Sequence, residues 1–488
     1  MTVDRLKDYV AYTRQHFEEG LIRAGFVQKD AGWKGAINHS KGTTDVTVCL
    51  NSDYPFQPPS VIPVDPSEVA WSWHRELNGA LCLVAEDDHE GLWWTDPSAF
   101  LEQVKSWFDQ ADSSWPNDRS DLDLDRYFNP SDDRHLYLYD DLYQYRGEFV
   151  RFRPEKNNIM RISRGTRPLK TSKHSKDCFG YVANLGEVDR PPRSWNDISA
   201  LINSSVNLER RIRSWSVEVL VLMYRRGTHD GAIVVKVFPT TDGGIGVRRL
   251  LSGADTEAAR MARAGLLAPE LQRCRVAIVG IGALGSFIAD MLVRSGIRNL
   301  TLVDNDIVMP GNLIRHLVGP DMVGMLKTKA VQQHLITHYG IATENITTKD
   351  QALTSVEDSA TLLKSHDVVV NATADFATTA LLHVTAQTLS RRIISAAIQN
   401  RGTSYRIDLL PPLEGADPLP SSAPDTEHQN PEIFEAGCGS PISPTPPYVV
   451  MEAAAATVRH AVGLLTGHPL HPAGEIRNLS TKKRRIPE

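Results

Sequence analysis

The feature that most restricts how this chain can fold is the run Gly280-x-Gly282-x-x-Gly285, set directly after the apolar stretch Val276-Ala277-Ile278-Val279 and opening a helical pattern that continues to Ser295. Glycines so placed predict a strand, a tight turn and a helix, with backbone amides free to approach a phosphate at the helix N-terminus. Further apolar runs at Leu300 to Val303 and Val368 to Asn371 alternate with helical stretches, so the region from about 256 onward reads as a doubly wound parallel sheet. Asp304 ends the second of these strands, 19 residues past Gly285, where a carboxylate can accept from a ribose hydroxyl. To this point a nicotinamide-dependent oxidoreductase explains the pattern as well as an ATP enzyme does.

The residues after Asp304 separate the two. Asp304-Asn305-Asp306 leads into Gly311-Asn312-Leu313-Ile314-Arg315 and then Gly324-Met325-Leu326-Lys327. Hydride transfer needs no such set of cations, whereas attack of a carboxylate on the α-phosphate of ATP builds charge that Arg and Lys neutralise as pyrophosphate leaves. In order and spacing, residues 256–488 resemble the ThiF/MoeB and ubiquitin-activating adenylyltransferase family. The resemblance implies ATP and Mg2+ as cofactors, with Gly280, Gly282, Gly285, Asp304 and Asp306 binding the nucleotide. It gives phosphate roles to Asn312, Arg315 and Lys327, of which Arg315 and Lys327 are also catalytic candidates, and Lys329 is a nearby competitor for the lysine role. Asp375, in Asn371-Ala372-Thr373-Ala374-Asp375, is the implied magnesium ligand. Arg260 and Arg263 resemble the arginine pair from which one residue reaches the triphosphate of the other subunit, which implies a homodimer. Cys438, in Gly437-Cys438-Gly439-Ser440-Pro441, lies in a Pro-rich stretch between Leu410 and Pro447 expected to be a long irregular loop. An exposed thiolate there would suit acyl capture, and family members carry such a thiol nearby.

At the other end of the chain, Leu6, Val10, Phe17 and Leu21 recur at helical spacing, and Val46, Val48 and Leu50 alternate as in a half-buried strand. Tyr54-Pro55-Phe56-x-Pro58-Pro59, then His74, Asn78-Gly79-Ala80-Leu81-Cys82-Leu83 and Trp93-Trp94, resemble the α+β ubiquitin-conjugating fold over about residues 1 to 120. Cys82 is thereby implied as the catalytic transfer thiol. His74 is followed by Arg75-Glu76 where the eukaryotic enzymes have Pro-Asn, so backbone amides and Asn78 are both open as oxyanion stabilisers. Residues 126–255 show an aromatic cluster (Tyr137, Tyr139, Tyr143, Tyr145, Phe149), a helical stretch around Ile212 to Met223 and a strand-like run from Ala232 to Phe238, without a chemical signature. The expected α/β organisation is therefore a ubiquitin-conjugating-like domain (1–125), a linker domain (126–255) and a Rossmann-like adenylation domain (256–488).

Composition narrows the class of function. A chain of 488 residues suggests two to four domains, and a net charge of −6 gives no basic face for nucleic acid. No apolar signal core opens the chain, and the uncharged apolar stretch Val276 to Ala289 is too short for a bilayer, so a cytoplasmic protein without membrane contact is expected. Five scattered cysteines without a C-x-x-C pair indicate neither a disulfide framework nor zinc. The domain order is similar to that of the fused activating and conjugating proteins of bacterial anti-phage operons, especially CBASS. That resemblance implies an acyl relay from Cys438 to Cys82 and on to a target amine. It also implies a donor protein with a processed or flexible C-terminus, either a cGAS/DncV-like nucleotidyltransferase or a bacterial ubiquitin-like protein, opposed by a deconjugating metalloprotease. Sulfur-carrier adenylation and a non-enzymatic adaptor are the remaining alternatives.

Overall fold

The computed structural model describes residues 3–30, 32–84, 91–116, 122–165, 177–202, 206–421 and 444–479. The chain divides into two compact units between Thr256 and Glu257.

The first unit contains two sheets. An antiparallel sheet runs in the order Val27–Lys29, Gly32–His39, Gly42–Cys49, Ser60–Pro63. Against it lie the helices Val3–Arg23 and Pro97–Asp112, whose Phe17, Leu21, Phe100, Val104 and Trp107 are buried with Trp33, Val46, Val48 and Val61. Leu6, expected on the buried face, is 42% exposed, because the first turns of the helix extend past the sheet's core cluster. Asp96 accepts from the Ala99 amide and Pro97 holds the first helical position, so the second helix starts where its sequence says it should. The Pro-rich corner is braced by Trp94, whose indole Nε1 donates to the Pro55 carbonyl at 2.8 Å.

Residues 126–255 supply all eight strands of a mixed sheet: Ile245–Arg249, His229–Pro239, Val219–Arg226, Cys178–Glu187, Phe149–Glu155, Ile159–Arg164, Leu136–Tyr139, Ser252–Ala254. The expected helix over Ile212 to Met223 is corrected here. Helix Leu208–Arg213 stops early, and Val219–Arg226 is a central strand between two others. Its continuous apolar run cannot by itself be told from a buried helix, but a strand covered on both faces needs such a run. Leu220, Leu222 and Tyr224 pack toward the helices Trp195–Leu201 and Leu208–Arg213, while Val219, Val221 and Met223 join Tyr137, Tyr139, Val150 and Phe152 on the opposite face. Trp73 also belongs to this sheet's core. Its indole donates to the Val188 carbonyl, Tyr127 donates to its carbonyl at 2.6 Å, and Trp71 reaches the Pro191 carbonyl. The segment that leads into Cys82 is therefore fastened to the larger sheet.

The second unit is the doubly wound α/β fold expected from the sequence. Its sheet runs Ile346–Lys349, Asn299–Val303, Arg275–Val279, Val368–Asn371, Ile393–Gln399, Ser404–Leu410, Gly474–Asn478, with the first five strands parallel and Ser404–Leu410 antiparallel to both of its neighbours. Helices Ala283–Arg294, Lys327–Tyr339 and Pro447–Leu465 contribute to one core, and Val356–Ser365 and Phe376–Thr388 to the core on the other face. Helix Pro447–Leu465 is long and apolar enough to cross a membrane by composition, yet Ala453, Ala454, Thr457 and Ala461 are fully or almost fully buried against the sheet, which marks it as a core helix.

Candidate functional site

Strand Arg275–Val279 has Asn299–Val303 on one side and Val368–Asn371 on the other, so chain connections leave it in opposite directions. A crevice opens at the carboxyl ends of such strands, where α/β folds bind ligands. The three strand ends carry Gly280, Asp304 and the Asn371 to Asp375 turn.

Each glycine of the motif does something different there. Gly280 has φ +89°, and a Cβ on it would lie 2.7 Å from the Thr373 amide nitrogen. A Cβ on Gly285 would come within 1.8 Å of the Gly280 carbonyl oxygen, so helix Ala283–Arg294 sits against the turn only because residue 285 has no side chain. A Cβ on Gly282 would meet nothing within 4 Å, and this residue caps the helix with no side-chain acceptor. An uncapped helix N-terminus opening onto empty space is a cradle for an anionic group.

Asp304 is bound into this turn: its Oδ2 accepts from the Ile281 amide at 2.6 Å and its Oδ1 from the Asp306 amide at 2.8 Å. Asp306 in turn pairs with Lys327, whose Nζ stands 2.8 Å from Asp306 Oδ2 while the side chain is only 11% exposed. Lys329 points to another place. Its Nζ donates to Thr348 Oγ1 at 2.6 Å and lies 3.8 Å from Asp350, at the sheet's edge strand. Of the two lysines, Lys327 is the one beside the glycine turn. Asn312 accepts from the Met309 amide at 3.0 Å, and Arg315 follows it half-buried. Asp375 caps helix Phe376–Thr388 by accepting from the Thr378 amide at 2.7 Å, a bond that holds its carboxyl below the usual carboxylate range. Arg260 lies in the short helix Glu257–Met261, and Arg263 follows its end rather than lying on it, because the helix stops after five residues. Arg263 donates to the Ala259 carbonyl at 3.5 Å.

Two residues of this constellation escaped the sequence reading. Asn371, 1% exposed, uses its whole amide: it donates to Thr379 and Ser395 and accepts twice from Thr373, which fixes the turn to Asp375. His316, 6% exposed, connects the glycine turn to the Arg315 segment. A polar residue ending an apolar strand was the available signal for Asn371; no periodicity marked His316.

The Cys82 neighbourhood is built from backbone. Its amide donates to the His74 carbonyl at 3.0 Å, Leu81 pairs with Arg75 across a short antiparallel bridge, and the thiol-bearing residue is half-buried. Arg75, 3% exposed, makes the loop rigid by donating to the Gly79 carbonyl from Nε and Nη2 and to the Val69 carbonyl from Nη1, and burial depresses its pKa. Asn78 is engaged within the turn, accepting from the Ala80 amide at 3.0 Å. His74 stacks on Trp115 with ring centroids 3.5 Å apart, a packing role. Cys438 and the basic run Lys482 to Arg485 lie outside the described residues. Among the described residues no group of three or more His, Cys, Asp or Glu could hold a metal.

Known proteins resemble parts of this chain. Ubiquitin-like modifier-activating enzyme 5 of Arabidopsis thaliana is 53% identical over 60 residues, 12% of this chain and 14% of that protein. The same-named enzyme of Culex quinquefasciatus is 27% identical over 158 residues, 30% of this chain and 39% of its own length. The ATP-dependent ubiquitin transferase-like protein Cap2 of Enterobacter hormaechei is 38% identical over 71 residues, 14% of this chain and 12% of Cap2. The chain thus spans well under half of each of these relatives. The structure of E. coli MccB with ATP superposes with a TM-score of 0.33 at 17% identity, covering 44% of this chain and 67% of MccB. The ThiF family model matches residues 258–488, and the C-terminal unit of this protein carries a ThiF-family domain.

Proposed function

We propose that the C-terminal unit activates a protein C-terminus by ATP-dependent adenylation, and that the acyl group passes to Cys438, then to Cys82, and finally to a target amine. The observation that carries the first step is the uncapped helix N-terminus behind Gly282, opening onto space beside Asp304 and the Asp306–Lys327 pair. ATP would be held with its phosphates toward that terminus and its ribose toward Asp304. Magnesium is usually held by one or two carboxylates together with substrate phosphates, so the lone Asp375 fits it, whereas a full protein cage would not be needed. Lys327 is the nearby cation that can neutralise charge as pyrophosphate leaves, and Asn312 and Arg315 complete the phosphate set.

Adenylation breaks the bond between the α- and β-phosphates and leaves an acyl adenylate. A thiolate then displaces AMP, and a thioester passes between thiols before an amine attacks it, releasing the thiolate. The position of Cys82 on a loop held by backbone bonds supports its use as the last thiol. A cGAS/DncV-like nucleotidyltransferase in a CBASS-type operon is the donor we favour, with a metalloprotease as the opposing enzyme and a homodimer as the working form. A bacterial ubiquitin-like protein or a sulfur carrier is the second reading.

The test incubates the protein with ATP, magnesium and the candidate donor, then compares gels run with and without reductant for wild type, Cys82→Ala and Cys438→Ala. An ATP-dependent, reductant-sensitive adduct that persists in Cys82→Ala and disappears entirely in Cys438→Ala supports the relay. ATP binding without any adduct, for every donor tried, removes it.

A further inference from the structure

The Ile281 peptide lies in the middle of the glycine turn and is held from both sides. Its N–H donates to Asp304 Oδ2 at 2.6 Å, and its carbonyl accepts from His316 Nε2 at 2.9 Å. His316 Nδ1 accepts from the Val318 amide at 3.3 Å, and the next residue's amide, Leu317, donates to Ser286 Oγ in the first turn of helix Ala283–Arg294. The ring therefore joins the phosphate turn to the segment that carries Arg315, inside the protein and away from solvent. Both ring bonds can form together only in the neutral tautomer with hydrogen on Nε2, since a second ring proton would face the Val318 N–H.

We propose that His316 is a positioning residue for the nucleotide, whose neutral ring sets the Gly280 to Gly285 turn against the Arg315 segment and makes ATP binding sensitive to acid. This rests on the adenylation reading for its ligand, though not for its effect on the turn. Burial lowers the affinity of the ring for a proton below the ordinary value of 6.5, and Lys327 and His334 act in the same direction while the Ile281 carbonyl and Asp304 oppose them. The clamp is then intact at and above that value and is lost as pH falls through the lowered one.

The experiment uses the full chain with His316→Gln, which can keep a donor to Ile281 without titrating, and His316→Leu, which cannot. Hydrogen exchange is read across residues 280–286 without nucleotide, and ATP affinity is read from about pH 8 to about pH 5. His316→Leu should exchange the Ile281 amide at least about tenfold faster and bind ATP about tenfold more weakly at neutral pH. His316→Gln should stay within about threefold of wild type at neutral pH. The ratio of wild-type to His316→Gln affinity, in which the titration of ATP itself cancels, should fall on the acid side. Unchanged exchange in His316→Leu, or a pH-independent ratio, overturns the proposal. Should wild type bind no ATP, the adenylation reading fails, and hydrogen exchange still decides whether His316 holds the turn.

Discussion

The glycine turn of the C-terminal unit and the Cys82 loop of the N-terminal unit are both held by main-chain hydrogen bonds, but to opposite ends. In the turn, side chains are missing and backbone is left uncovered: Gly282 opens onto empty space, and Asp304, Asp306 and Lys327 bring charge to its edge. In the loop, the residues around half-buried Cys82 are tied down by their own contacts. Arg75 saturates the Gly79 and Val69 carbonyls, Asn78 serves the Ala80 amide, and His74 is stacked on Trp115. Backbone amides fixed in this way act through pre-aimed dipoles, whereas a thiol acts as a nucleophile whose strength its surroundings set.

That contrast is open to direct attack. The largest expected effect is at Lys327, where Lys327→Ala should slow ATP-dependent adduct formation by about 10²-fold or more, against less than about threefold for Lys329→Ala. Equal losses in the two variants would mean that the Asp306 pairing does not select the working lysine. A smaller effect separates the glycines. Gly285→Ala drives a methyl into the Gly280 carbonyl and should cost about 3 kcal/mol in the C-terminal unit's denaturant unfolding, while Gly282→Ala costs under about 1 kcal/mol yet weakens ATP binding. If both variants lose stability alike, the space beside Gly282 is not a ligand cradle. The smallest is Arg75→Met, which leaves the buried Val69 carbonyl and the half-buried Gly79 carbonyl without their donor and should lower the N-terminal unit's stability by about 1–3 kcal/mol, with ATP affinity unaltered. A change in ATP affinity there would break the independence of the two sites' chemistry.

The legibility of the sequence differed along the chain for identifiable reasons. Strand Arg275–Val279, helix Ala283–Arg294 and the strands ending at Val303 and Asn371 were readable because their apolar periods agree with their punctuation. The run through Val219 to Met223 was misread as helix because burial on both faces erases the two-residue alternation that marks a strand. The core of the middle region was not readable locally because it is assembled from distant pieces: Trp73 packs with Tyr127 and Tyr224, pairs that no local pattern records. His316 was passed over for the same reason. Its two bonds reach Ile281 and Val318, and only the first, across 35 positions, ties it to the nucleotide turn.

What the sequence determined by itself was the kind of chemistry and where the chain could supply it. Glycines after a strand, an acid at the next strand end and a lysine opening a later helix are local statements, since each depends on the geometry of a single turn. The tertiary structure decided which of two lysines faces the turn, which polar residues hold the turn in place, and that the segment before Cys82 is anchored to the eight-stranded sheet. Those choices depend on side chains meeting across many intervening residues, where hydrogen-bond distance and burial rather than spacing select the partner.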